Sequence, residues 1–150
     1  MCQAVRAGLE REVQISPDVH IAIVAAPSYL ADHPAPQSPQ GLIAYRCIQT
    51  RMPTHGNILK WVLEKEGEKA RVRVEWSLVV STLGPCINAA LDGLAFVPED
   101  RAPAQIANGR LVPLLPDWWP SHEGYHFYYP SRRQPTPAFR LLLDALRPRR

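Results

Sequence analysis

A chain of 150 residues, 46% hydrophobic and 21% charged, is long enough for one domain with a real core or for two small lobes sharing a hinge. A formal net charge of +3 is weak support for nucleic-acid binding, which clusters Lys and Arg on one element. Here the dense basic groups are Arg132-Arg133 and the tail Arg147, Arg149 and Arg150, and the tail reads as a solvated chain end. No stretch approaches the length of a membrane-spanning helix, and the first residues carry no apolar signal-peptide core. Three cysteines at unrelated spacings do not make a secreted disulfide framework, so a cytoplasmic location is expected.

His20 to Ala25 is a short β-branched run ended by Pro27, the pattern of a buried strand. Ser28 to His33 fits one helical turn closed off by Pro34 and Pro36. Gln40 to Ile43 begins another short turn and leads into a strand over Cys47 to Arg51. Leu59–Lys65 and Lys69–Trp76 are strand-like runs separated by Glu66-Gly67-Glu68. Val72, Val74 and Trp76 alternate with charged residues in the second run, which predicts a hairpin with one buried face. Leu83, Cys86, Ile87, Ala90 and Leu91 then recur at helical spacing, with Ser81 or Thr82 as cap and Gly93 as the C′ stop. Leu94 to Val97 is a buried strand, Glu99 to Asn108 a short helix closed by Gly109, and Arg110 to Leu115 another strand. An aromatic strand over Tyr125 to Tyr129 is stopped by Pro130. Thr136 caps a last helix whose Pro137 sits at the first position and whose buried stripe is Phe139, Leu142, Leu143 and Leu146. Strands alternate with helices, so the class is α/β with a mixed sheet.

Several patterns suggest chemistry. His122-Glu123-Gly124-Tyr125-His126 matches the H-E-x-x-H spacing of zinc proteases, which works only on a helix. Pro120 before it, Gly124 within it and the aromatic run after it make this a turn entering a strand, so no metal site is expected. Cys47 and Cys86 read as buried packing residues and Cys2 as part of a frayed terminus, which leaves no case for a redox sensor. No phosphate loop and no nucleophile elbow occur, so no catalytic residue is assigned and no cofactor is expected. The helix start at Ser81-Thr82 stands apart. It follows the strand end Leu78-Val79-Val80, and free N–H groups at such a place suit an anion, although plain capping explains the same residues.

The ordered set Val24 to Leu30, Pro39 to Leu42, Arg46-Cys47-Ile48, Ala89 to Pro98, Gly109 to Val112 and Tyr128 to Gln134 resembles the effector-binding domain of LysR-type transcription regulators. The resemblance runs from about residue 13 to about residue 146. It implies a fold like a type 2 periplasmic binding protein, with two α/β lobes joined by two crossing strands. On that scheme residues 1–25 are a remnant of the first lobe ending in the outgoing hinge strand Val19–Ala25. Residues 26–126 are the second lobe, near-complete, and residues 127–150 are the return strand and the terminal helix. It further implies second-lobe effector contacts at Thr50, Arg51, Ser81, Thr82, Phe96 and Pro98. The implied ligand is a small organic effector such as a carboxylate, which Arg51 could pair with, an ion pair within the protein being the other use of that side chain. A full family member carries a winged helix-turn-helix, a linker helix and the first strands of the first lobe. The expectation is therefore an N-terminally truncated sensor that makes no direct DNA contact. It would oligomerise with itself or associate with a full-length regulator. The alternative is an interaction protein or gene remnant that associates without sensing. An enzyme on this architecture has no residue support.

Overall fold

The computed structural model describes residues 10–52, 56–130 and 136–146. Cys2, Ser131 to Gln134 and the basic tail from Arg147 lie outside the described residues. The chain forms two compact units, residues 20–121 and residues 1–19 with 122–150.

The larger unit is built on a mixed sheet. Its strands are β2 (Val19–Ala25), β3 (Cys47–Thr50), β6 (Trp76–Val80), β7 (Leu94–Pro98) and β8 (Val112–Leu114), running across the sheet in the order β6-β3-β7-β2-β8. Strands β6, β3 and β7 are parallel, and β2 is antiparallel to β7 and β8. Ala22 to Ala25 and Leu94 to Val97 are apolar at every position because both faces of these central strands are covered. Ala22, Val24, Ile48, Ala95 and Val97 face one cluster with Cys86 and Ile87 of helix α2 (Leu83–Ala89), its C-cap Ala90, and Ala102. Ile23, Ala25, Cys47, Leu94 and Phe96 face the other. That second face is covered by the hairpin of β4 (Trp61–Lys65) and β5 (Glu68–Val72), which inserts Trp61 and Leu63, and by Leu42 of the 3-10 turn Pro39–Ala44.

Local chemistry explains the joints. Glu66 and Gly67 both hold positive φ, 51° and 84°, the two-residue turn whose twist matches a hairpin. Helix α1 (Pro27–Asp32) starts on its proline. The expected helix over Glu99–Asn108 is broken into a 3-10 turn, Glu99–Arg101, and α3, Pro103–Ala107. Pro103 disfavours helical backbone at Ala102, which takes φ −124°. Helix α2 ends at Ala89, short of the expected stop. Gly93 serves a different purpose, since a Cβ there would lie 2.6 Å from the carbonyl oxygen of Arg46. The bare backbone lets Leu94 N–H donate to that same oxygen at 2.8 Å, joining the starts of β7 and β3. Trp76 also departs from expectation: it opens β6 and is 56% exposed instead of continuing the buried face of the hairpin.

The smaller unit pairs β1 (Glu10–Gln14) with β10 (His126–Pro130), antiparallel, from Glu10 opposite Pro130 to Gln14 opposite His126. The two-residue strand β9 (Ser121–His122) is not part of this ribbon and pairs with β2. Helix α4 (Pro137–Leu146) begins with the Thr136 hydroxyl accepting the Phe139 N–H at 3.3 Å, as the sequence predicts. Phe139 lies tilted against Phe127 and edge-on to Tyr129, and Leu143, one turn on, is buried. Leu142 belongs to the expected stripe but is half exposed. The strand beside β10 is Glu10–Gln14, while Val19–Ala25 lies between β7 and β8. The reason is composition: Ile23, Val24 and Ala25 need cover on both faces and take a central place in the larger sheet, whereas Glu-Arg-Glu-Val-Gln suits a two-stranded ribbon.

Candidate functional site

Parallel order sets the direction of the larger sheet. Strands β6, β3 and β7 lie side by side and all end at one edge. In open α/β sheets the chain turns outward at such an edge, leaving room for a ligand. Thr50 lies opposite Val80, so Thr50-Arg51 and Ser81-Thr82 leave the sheet next to each other. The Arg51 N–H donates to the Val80 carbonyl at 2.7 Å and locks the two exits together. Pro98 leaves β7 one strand further on, and Ile21 of β2 lies opposite it.

The six residues expected at the site divide in two. Arg51, Ser81 and Thr82 are exposed, and Thr50 and Pro98 are partly exposed. Thr82 occupies the N-cap position in extended backbone, φ −139° and ψ 156°, but its side chain makes no capping hydrogen bond. The expected cap is thus present in place and absent in chemistry, and the hydroxyl stays uncommitted to the helix. Thr50 Oγ1 donates to Cys86 Sγ at 3.5 Å and ties the end of β3 to α2. Arg51 Nη1 donates to the Gly56 carbonyl at 3.2 Å, which uses one of five guanidinium donors. Phe96 is different. It is 4% exposed and packs against Trp61 at 5.1 Å between ring centres. Its ring is part of the core beneath the edge, because alternation along β7 sends Leu94 and Phe96 to the hairpin face.

Two further polar residues stand at this edge that were not among the expected six. His20 Nδ1 lies 2.9 Å from Glu99 Oε1, and both side chains are substantially exposed. They come together because β2 starts where β7 ends. Proline followed by an acid at a strand exit was the available signal for Glu99, but the antiparallel register that brings His20 to it leaves no local trace.

The thiols behind the edge are protonated at neutral pH. Burial pushes Cys47 up to about 12. Burial also raises Cys86, opposed in part by the hydrogen bond from Thr50. Both act as apolar filling. The H-E-x-x-H stretch is extended: His122 ends β9, His126 opens β10, and His126 Nε2 is 3.3 Å from Glu12 Oε1. Gly124 is required there, since a Cβ would lie 2.1 Å from the Pro17 carbonyl oxygen.

The model of the LysR substrate binding domain matches residues 11–150. The chain belongs to that family. A transcriptional regulator of Pseudomonas aeruginosa is 44% identical over 137 residues, 90% of this chain and 45% of the relative. The transcriptional regulator PgrR of Escherichia coli is 37% identical over 137 residues, 90% of this chain and 46% of its own length. The chain thus spans about half the length of these curated relatives. Among solved structures, the regulatory domain of AphB from Vibrio vulnificus superposes with a TM-score of 0.74 at 23% identity, covering 95% of this chain and 69% of that one. The regulatory domain of CrgA from Neisseria meningitidis superposes at 0.71 and 24%, covering 95% and 70%. The fold is therefore that of LysR regulatory domains, the periplasmic-binding-protein-like architecture implied by the sequence. No helix among the described residues is long and apolar enough to cross a membrane.

Proposed function

We propose that this effector-binding domain holds a small organic acid at the shared edge of β6, β3 and β7. The observation that carries the proposal is the adjacency of Thr50-Arg51 and Ser81-Thr82 at the ends of paired parallel strands. The remaining Arg51 donors pair with the ligand carboxylate, and the Ser81 and Thr82 hydroxyls donate to its oxygens. Pro98 forms an apolar wall, and Phe96 braces the edge from within the core. No covalent step is asked of any residue. In the regulator that the relatives represent, binding favours one arrangement of the lobes and so shifts the population that controls transcription, in the cytoplasm where the DNA is. Self-association belongs to the same reading: Trp76 and Leu78 on β6 are 56% and 44% exposed, and light scattering at increasing concentration should show mass above the monomer.

A thermal-shift screen of the 150-residue chain against acetate, succinate, benzoate and related carboxylates tests the site. At least one should stabilise the chain, by about 2.7 kcal/mol at about a hundred times its Kd, and Arg51→Gln should abolish that response without lowering the unliganded Tm. Equal stabilisation of the variant would remove Arg51 from the site.

A further inference from the structure

Four strand ends meet the edge in the order β6, β3, β7, β2, since β2 begins where β7 ends. They present, in that order, the hydroxyls of Ser81 and Thr82, the guanidinium of Arg51, the carboxylate of Glu99 and the imidazole of His20. Arg51 follows β3 and Glu99 follows β7, so a cation and an anion leave the sheet from adjacent strands, whose backbones lie about 4.8 Å apart. They do not neutralise one another. Among the described residues Arg51 donates to the Gly56 carbonyl, while Glu99 is held by His20.

The way Glu99 is held is specific. One oxygen, Oε1, is 2.9 Å from His20 Nδ1 and also accepts the His20 backbone N–H at 3.4 Å. Both contacts fall on Oε1 and orient the carboxylate. The side chains are 47% and 40% exposed, and exposed pairs of this kind contribute little to stability. Fixing a carboxylate in a direction that stability does not require is what recognition of a cation needs.

We infer that the effector is a small zwitterion of the amino-acid type, its carboxylate toward Arg51 and the β6 hydroxyls and its ammonium on Glu99, with His20 as the residue that positions Glu99. The inference rests on the proposed carboxylate site and adds the second charge. An α-amino acid carries its two charged groups a few ångströms apart, which matches adjacent strand ends. The separate partners of Arg51 and Glu99 keep the two protein charges available, where a direct ion pair between them would have to be broken by the ligand.

The test uses the full chain and the common L-α-amino acids, each beside its N-acetyl derivative, which keeps the carboxylate and loses the ammonium. Thermal shift followed by calorimetry should find at least one free amino acid that binds at least about ten times more tightly than its N-acetyl form, the factor that one lost charge contact of about 1.4 kcal/mol produces. Glu99→Gln should bring that ratio close to one, His20→Asn should reduce it, and Arg51→Gln should lose both ligands. Two variants on opposite sides of the pair guard against a single misfolded one, and both should keep the unliganded Tm because the pair is exposed. Equal binding of free and acetylated acids, or a ratio that survives Glu99→Gln, would overturn the zwitterion while leaving the carboxylate site standing. Absence of binding by acids of either kind would overturn both.

Discussion

The two units solve the problem of burial in opposite ways. In residues 20–121 a sheet is covered on both faces, and Ala22 to Ala25, Leu94, Ala95 and Val97 are fully buried. In the smaller unit, Leu143 is the buried hydrophobic side chain among the described residues, while Leu141 is 72% exposed and Tyr128 44%. A two-stranded ribbon with one helix has too few layers to enclose a core. The unit that carries the candidate edge is thus the better enclosed one, and the presented groups stand at, or directly after, strand ends whose alignment is set by register.

The largest effect should come from the centre of the larger unit. Trp61 is 1% exposed and lies against Phe96 beneath the edge. Trp61→Ala should cost about 3–5 kcal/mol, read as a lower urea midpoint, and should weaken any carboxylate response because the wall under Pro98 collapses. A loss below about 1 kcal/mol, within the usual range of mild substitutions, would mean that the hairpin is a loose cover and the contrast between the units is false.

A smaller pair of effects probes the other unit. Leu143→Ala should cost about 2–3 kcal/mol, the low end for a buried leucine, while Leu141→Ala two residues earlier should stay within about 0.5 kcal/mol. Equal losses at the two positions would show that the exposed side of α4 is covered in solution. Hydrogen exchange on the same samples should protect the amides of β2 and β7 longer than those of β1 and β10.

Legibility in the sequence followed the range of the interaction concerned. The hairpin turn, the Thr136 cap and the central strands were readable because each is decided by neighbours within a few residues. The pairing of β1 with β10 was not, because Glu10–Gln14 is polar and finds its partner more than a hundred residues away. Gly93 shows the same divide: its identity suggested a helix stop, but its cause is the approach of Arg46, the residue before β3. At the edge, Thr50, Arg51, Ser81, Thr82 and Pro98 could be named through family resemblance and strand ends. Phe96, expected with them, lies in the core under the edge; alternation pairs it with Leu94, but which face of the sheet the hairpin covers is not written in that strand. His20 required the register of β2 on β7, which no local pattern encodes.

The smallest expected effect separates local from distant causes within one element. The β4–β5 turn places Glu66 at φ 51° beside Gly67 at φ 84°. Left-handed backbone costs an ordinary residue about 1–2 kcal/mol, and Asn pays less of it. Glu66→Asn would create the Asn-Gly pair favoured in such turns and should raise stability by about 0.5–1 kcal/mol, a Tm gain of about 1–4 °C. The substitution touches nothing in the core, so its gain should be the same in the unaltered chain and in one that also carries Trp61→Ala, as independent sites add. If the gain vanishes in the doubly substituted chain, the turn has no preference of its own and is held closed by Trp61 and Leu63 locking onto the sheet. The hairpin would then owe its register to packing, as the β1–β10 ribbon owes its own to a partner far along the chain.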